Sequence, residues 1–277
     1  METRVSIEAQ NYEYLLGDGD AELSRLKFQH SVWGPVTDRF FDRVKVGPGW
    51  KCLDVGAGPG LVSIDLRERV RESGEVVALE PSQYYRNWFE GEIKRKGWQN
   101  VSVIAGNSFD TPLKPEYFDL IFVRWVIGFV PSPENFLRPL AAALKPGGVI
   151  ALQDYVHEGC ALFPNGGAWD RFPEAMRLWW KAGGGDPFVA AKIPAAMRQL
   201  GLEVIDYQPN TLSGGPLSSV TAWIGLFFNS QLPVMVEKGV VTLAEADAMR
   251  ADWQNHLENS DTIFFSPYVV DVAGRKL

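Results

Sequence analysis

CLDVGAGPG, residues 52–60, is an apolar run that breaks into three glycines at alternate positions. Such a run predicts a buried strand, and the glycines predict a tight turn opening a helix. The N–H groups of that helix end then point at whatever lies over the loop. The spacing is G-x-G-x-G: Gly56, Gly58, Gly60. A dinucleotide fingerprint wants its third small residue one place later, where this chain has Leu61. Asp54 stands two positions before the first glycine. Glu80 closes the next apolar run, where a ribose-binding carboxylate belongs. A carboxylate beside the loop repels a pyrophosphate and favours a ligand whose neighbouring end is cationic.

Outward from the loop, apolar runs alternate with helix-like segments as far as "GVIALQDY". "GEVVALEP", "VSVIAGN" and "FDLIFVRWVIGFV" read as strands. "LVSIDLRERVRE", "SQYYRNWFEGEIKRKG" and "SPENFLRPLAAAL" read as helices, the last stopped by "KPGG". Near-continuous apolar strands alternating with helices predict a parallel sheet covered on both faces, the doubly wound α/β class. After it come a helix and strand in "IPAAMRQLGLEVIDYQP" and a last strand in "TIFFSPYVVDVAGRK". The run "WWKAGGGDPF" reads as a helix end and a loop, because its glycines follow a helix rather than a strand. Before the sheet, "AELSRLKFQHSVWGPVTDRFFDRV" reads as helix, with Pro35 expected to interrupt it. Residues 214–260 are too long for a turn and carry two helical patterns. Thr242 and Glu245 fit a capping box for the second.

The 277 residues carry a formal net charge of -7 with no block of Lys or Arg, which argues against a nucleic-acid partner. Two cysteines, Cys52 and Cys160, make neither a disulfide framework nor a metal cluster. The N-terminus "METRVSIEAQ" has no apolar signal region, and no run reads as long enough to span a bilayer. The expectation is a soluble, reduced, cytoplasmic chain with no membrane contact and no bound metal. Composition says nothing of its oligomeric state.

S-adenosyl-L-methionine meets the demands of the loop, with a ribose, an adenine, an ammonium group and a sulfonium but no phosphate. Here the sequence resembles a known family. "LDVGAGPG", "VVALEPS", "VIAGNSFD", "YFDLIFVRWVIGFV" and "LKPGGVIALQD", in that order, resemble the successive motifs of class I S-adenosylmethionine-dependent methyltransferases of small-molecule type. The resemblance implies a seven-stranded sheet ending in an antiparallel strand, and S-adenosyl-L-homocysteine as product. Gly56, Ala57 and Gly58 would let the backbone approach the methionine and ribose parts. Asp54 would orient the loop or the ammonium group. Glu80 would accept both ribose hydroxyls, and Pro81 would pack on adenine. Asn107, Ser108 and Phe109 would frame the adenine, and Arg124 and Trp125 would lie near the methionine end. Tyr14, Gln29 and Trp33 would reach the cofactor from the N-terminal side.

The expected organisation is an N-terminal helical cap over residues 1–45 and a cofactor-binding core over 46–213. A helical insert over 214–262 and a final core strand over 263–277 complete it. Cap and insert are expected to form a lid over a small-molecule acceptor, hinged at Gly17 and Gly19. Trp223, Phe227, Phe228 and Met235 would line its pocket. His157 is a candidate base, the alternative being an exposed loop histidine; Asp154 and Tyr155 share that rim. The reaction implied is methyl transfer to an O, N or C nucleophile of a natural-product-like or aromatic molecule. An NAD-dependent oxidoreductase and a non-catalytic binding protein are the alternatives.

Overall fold

The structure is a computed structural model that describes residues 19–130 and 132–277. Tyr14 and the Gly17 hinge lie outside the described residues. The sheet is built from β1 (Lys51–Val55), β2 (Glu75–Glu80), β3 (Val101–Ala105), β4 (Phe118–Arg124), β5 (Leu144–Val156), β7 (Leu202–Asn210) and β10 (Tyr268–Lys276). Its seven strands run in the order β3-β2-β1-β4-β5-β10-β7. β10 pairs antiparallel with both β5 and β7, and the other pairings are parallel. The strand order reverses between β1 and β4, so the loops after these two strands open onto one crevice at the sheet's carboxyl edge. In open α/β sheets that crevice is where ligands bind.

Alternation along the strands divides the core in two. Leu53, Val55, Ile121, Val123, Ile150 and Leu152 pack one face against α4 (Pro133–Ala143) and α6 (Ile193–Gln199). Cys52, Val76, Leu120, Phe122 and Ala151 pack the other. They meet α1 (Asp20–Val44), α2 (Leu61–Val70) and α3 (Gln83–Lys96). Pro35 does not break α1, which runs through it for 25 residues. Proline removes one N–H from the helical ladder. Here Trp33, Val36, Phe40 and Phe41, on both sides of it, are fully buried, and that packing holds the helix together.

A third apolar cluster lies over the carboxyl edge. It joins Trp33 of α1 to α5 (Phe172–Ala182), α7 (Ser219–Glu237) and α8 (Leu243–Glu258) around Trp169, Phe172, Phe228 and Trp253. Below them sits a small sheet of β6 (Ala161–Phe163), β9 (Ile263–Phe265) and β8 (Ser213–Gly214). Two expectations change. Residues 161–182, assigned to the core by sequence, pack with the insert. The final strand, expected from residue 263, begins at Tyr268, because β9 pairs in the small sheet. The Thr242–Glu245 capping box forms as expected. By length and composition alone, α7, with 19 residues, is apolar enough to cross a membrane, a feature that the sequence reading missed. Its Val220, Ile224, Leu232 and Met235 are buried within the protein.

Candidate functional site

The glycine loop is held from below. The Gly56 and Ala57 N–H groups both donate to the Leu79 carbonyl, at 2.8 and 3.2 Å. A Cβ at Gly56 would stand 2.4 Å from Val126 Cγ2 of the loop after β4, so the two loops touch at a point only glycine fits. At Gly58 the backbone has φ +55° and a Cβ would meet nothing within 4 Å: this residue faces open space. The Glu80 carboxylate anchors the loop, accepting from Gly58 N–H at 2.7 Å and Ser82 N–H at 2.8 Å. Burial raises its pKa. A carboxylate has about four lone-pair sites, so two remain for a ligand's hydroxyls.

Asp54 is buried and accepts from Ser63 Oγ of α2 at 2.6 Å. Burial pushes its pKa up to about 6, against the pull of Ser63 and Arg124. The sequence pairs Asp54 with the loop; the structure shows it binding α2 to β1 instead of meeting solvent. After β3, Asn107 Oδ1 accepts from Phe109 N–H at 2.8 Å and the Phe109 ring is half exposed. Ser108 Oγ is buried with no hydrogen-bond partner among the described residues. Pro81 is exposed beside Glu80.

Arg124 ends β4 with its guanidinium half-buried. Burial lowers its pKa to about 10 while Asp54 and Asp65 oppose the shift. It donates to Thr37 Oγ1 at 3.0 Å and to His30 Nδ1 at 3.1 Å. Arginine only donates, so His30 Nδ1 is the bare nitrogen, and its Nε2–H faces Asp65 at 3.3 Å. Thr37 in turn donates to Gln153 at 2.6 Å, and Gln153 donates to Asp271 at 2.6 Å. Arg43 closes the chain on Asp271 at 2.6 Å. Sequence reasoning missed this network, because Thr37, Gln153 and Asp271 belong to three distant segments with no shared motif. Gln153→Leu strips two buried partners at once and is expected to cost about 2 kcal/mol, read as a lower urea midpoint at unchanged slope.

Trp125 follows with φ +56°, a conformation non-glycine residues seldom take. It stacks on Tyr155 at 5.8 Å and meets Trp33 edge-on at 6.2 Å. Trp125, Phe129, Tyr155, His157, Trp180, Trp223 and Phe227 line an aromatic cavity, together with Arg25 and Gln29 of α1. Gln29 Oε1 accepts from both Arg25 (2.9 Å) and Trp223 Nε1 (3.1 Å), clasping α1 to α7. Trp33 is wholly buried behind the cavity. The free volume is about 50 Å³, whereas ligand pockets run to about 300 Å³ or more.

The three rim residues differ. Asp154 does not line the cavity. Its carboxylate is buried and accepts from the Gly128 and Tyr155 N–H groups, at 3.2 and 2.8 Å. Burial raises its pKa to about 7 despite those bonds. Tyr155 lines the cavity. His157, far from being an exposed loop residue, is buried, and burial drives its pKa down to about 3. Its ring lies 4.7 Å from that of Tyr155 and 5.0 Å from that of Trp180.

Residues 53–152 match a family model described as a methyltransferase domain. Among curated proteins, the demethylmenaquinone methyltransferase of Anoxybacillus flavithermus is 31% identical over 122 residues, 44% of this chain and 50% of that protein. That of Bacillus cereus is 31% identical over 144 residues, 51% of this chain and 60% of that protein. The chain thus matches only 50–60% of the length of these relatives. Among solved structures, geranyl diphosphate methyltransferase with GPP and sinefungin has a TM-score of 0.57 at 15% identity, covering 90% of this chain and 80% of that one. The [4+2]-cyclase SpnF has a TM-score of 0.55 at 17% identity, covering 87% and 80%. An Aquifex aeolicus SAM-dependent methyltransferase has a TM-score of 0.51 at 20% identity, covering 69% and 92%. The fold is that of class I methyltransferases, as the motifs implied. A cyclase among these neighbours shows that the fold alone does not assign a reaction.

Proposed function

We propose that this chain is an S-adenosylmethionine-dependent methyltransferase acting on a small organic acceptor in the aromatic cavity. The observation that carries the reading is the Glu80-anchored loop. Its one sterically open glycine, Gly58, faces the crevice, and its neighbour Gly56 touches the β4 loop that also supplies Trp125 to the cavity. The pieces fit the cofactor. Glu80 has lone pairs for ribose hydroxyls, and the buried Ser108 Oγ, without a partner among the described residues, is free to bond a ligand. Pro81 and Phe109 supply apolar surface for adenine. Arg124 and Trp125 stand where the methionine end would lie, with Ala57 in the loop beside them. When bound, the cofactor supplies an electrophilic methyl group on a sulfonium.

The chain's task is then to align the acceptor and keep water out, for which proximity alone contributes much of the rate. The α1–α7 clasp and the tryptophan walls serve that purpose, so the lid expected of these segments remains our reading. Of the rim residues, His157 and Tyr155 line the acceptor cavity, while Asp154 fixes the loop behind it. The match to demethylmenaquinone methyltransferases favours a planar, conjugated acceptor, and so does the aromatic lining.

Titration calorimetry with S-adenosylhomocysteine and with NADH tests the reading. Saturable binding of the first and none of the second is expected. Tight NADH binding with no response to S-adenosylhomocysteine would sink it in favour of an oxidoreductase.

A further inference from the structure

We infer that the acceptor is an uncharged conjugated molecule carrying a hydroxyl group, and that His157 recognises that hydroxyl inside the aromatic cavity. The inference rests on the methyltransferase reading and narrows its substrate class. Both ring nitrogens of His157 are buried without a hydrogen-bond partner among the described residues. The backbone of the residue is fully engaged: its N–H donates to the Pro187 carbonyl at 2.9 Å, and its carbonyl accepts from Arg177 at 3.1 Å. The orphans are thus confined to the ring. An unpaired buried polar group is costly, and two on one side chain call for a partner beyond those the described residues provide.

A neutral imidazole offers one donor and one bare acceptor. A hydroxyl can pair with either nitrogen, giving its proton to the bare one or accepting from the N–H. Burial keeps the ring neutral, so the pairing does not depend on its charge across the physiological range. The ring is also held at fixed orientation between Tyr155 and Trp180.

The charges around the cavity decide against ionic acceptors. No aspartate or glutamate lines it among the described residues. Its one guanidinium, Arg25, is engaged by Glu22 through two bonds of 2.7 Å and by Gln29. Arg177, which donates to the His157 carbonyl, is paired with Glu158 at 3.9 Å. A protonated amine would lose its water and meet the Arg25 guanidinium with no carboxylate in the cavity lining. The attraction of aromatic faces for a cation is smaller than that loss. A carboxylate would have to displace Glu22. A neutral planar molecule meets the tryptophans of the lining and leaves these pairs intact.

The test titrates 1-naphthol, naphthalene, 1-naphthylmethylammonium and 1-naphthoate into the protein, with and without S-adenosylhomocysteine. Wild type is compared with His157→Phe and His157→Gln. Naphthol is expected to bind at least ten-fold tighter than the other three. His157→Phe should abolish that preference, His157→Gln should restore part of it, and neither should change S-adenosylhomocysteine affinity. In wild type, naphthol should also shift the ¹⁵N resonances of the His157 ring. Stronger binding of the ammonium or the naphthoate would overturn the inference. So would absence of saturable naphthol binding, or unchanged naphthol affinity in His157→Phe. Failure of S-adenosylhomocysteine to bind would overturn the methyltransferase reading, a result independent of the cofactor-free naphthol titrations.

Discussion

Glu80→Ala is expected to weaken S-adenosylhomocysteine binding by about two orders of magnitude while leaving the fold intact. Two effects add. The carboxylate is the proposed ribose ligand, and each hydrogen bond to a charged acceptor contributes about 1.5–3 kcal/mol. It also holds the Gly58 and Ser82 N–H groups, so its loss frees the loop that the cofactor must meet. Part of this is offset by water entering the vacated space, which brings the net to about 3 kcal/mol, or a factor of roughly 100. The β1–β2 and β2–β3 ladders do not use the side chain, and the Leu79 carbonyl still anchors Gly56 and Ala57. The melting temperature should therefore move little. Calorimetry of wild type and variant checks the first claim and thermal melting the second. An affinity within three-fold of wild type would remove Glu80 from the cofactor site.

Gly56–Gly60 and Glu80 were legible because local chemistry dictates them. A tight turn after a buried strand needs glycine, and one acidic side chain at the next strand's end is a short-range pattern. The alternation of strands and helices likewise determined the sheet's class, since each element reports its own burial through periodicity. The acceptor side was not legible in that way. β6, β8 and β9 have only three, two and three residues, too short for any period to show. Trp169, Phe228 and Trp253 sit in separate segments and become one cluster only through tertiary packing. Pro35 misled because backbone propensity is a weak term beside fully buried aromatics on the same helix. His157 misled for a related reason. Its exposure depends on α5 and the Asp186–Phe188 turn folding back over it, which nothing within a few residues of it announces.

The pH dependence of stability should contain a component that Asp154→Asn removes. In the folded protein, burial raises the Asp154 pKa to about 7, against an ordinary value of 3.8 for an exposed aspartate. Between these values the folded state holds a proton that the unfolded state has released. Stability therefore falls as pH rises across that window, and below about pH 4 the component is constant. A tenfold difference in proton affinity between the two states corresponds to about 1.4 kcal/mol, so the loss between pH 4 and 8 is on the order of 3 kcal/mol. The cause is desolvation, opposed only by the backbone N–H groups of Tyr155, Gly128, Ile127 and Val126. Asparagine keeps a carbonyl oxygen for those donors and has no charge to bury. Its urea-derived stability should match wild type near pH 4 and exceed it by about 3 kcal/mol at pH 8. Asp54, raised to about 6, contributes the same sign in both proteins and cancels in the difference. Parallel stability curves for the two proteins across this range would show that Asp154 is ionised throughout. The four N–H groups would then outweigh burial, and the loop carrying Trp125 would be held by a full charge.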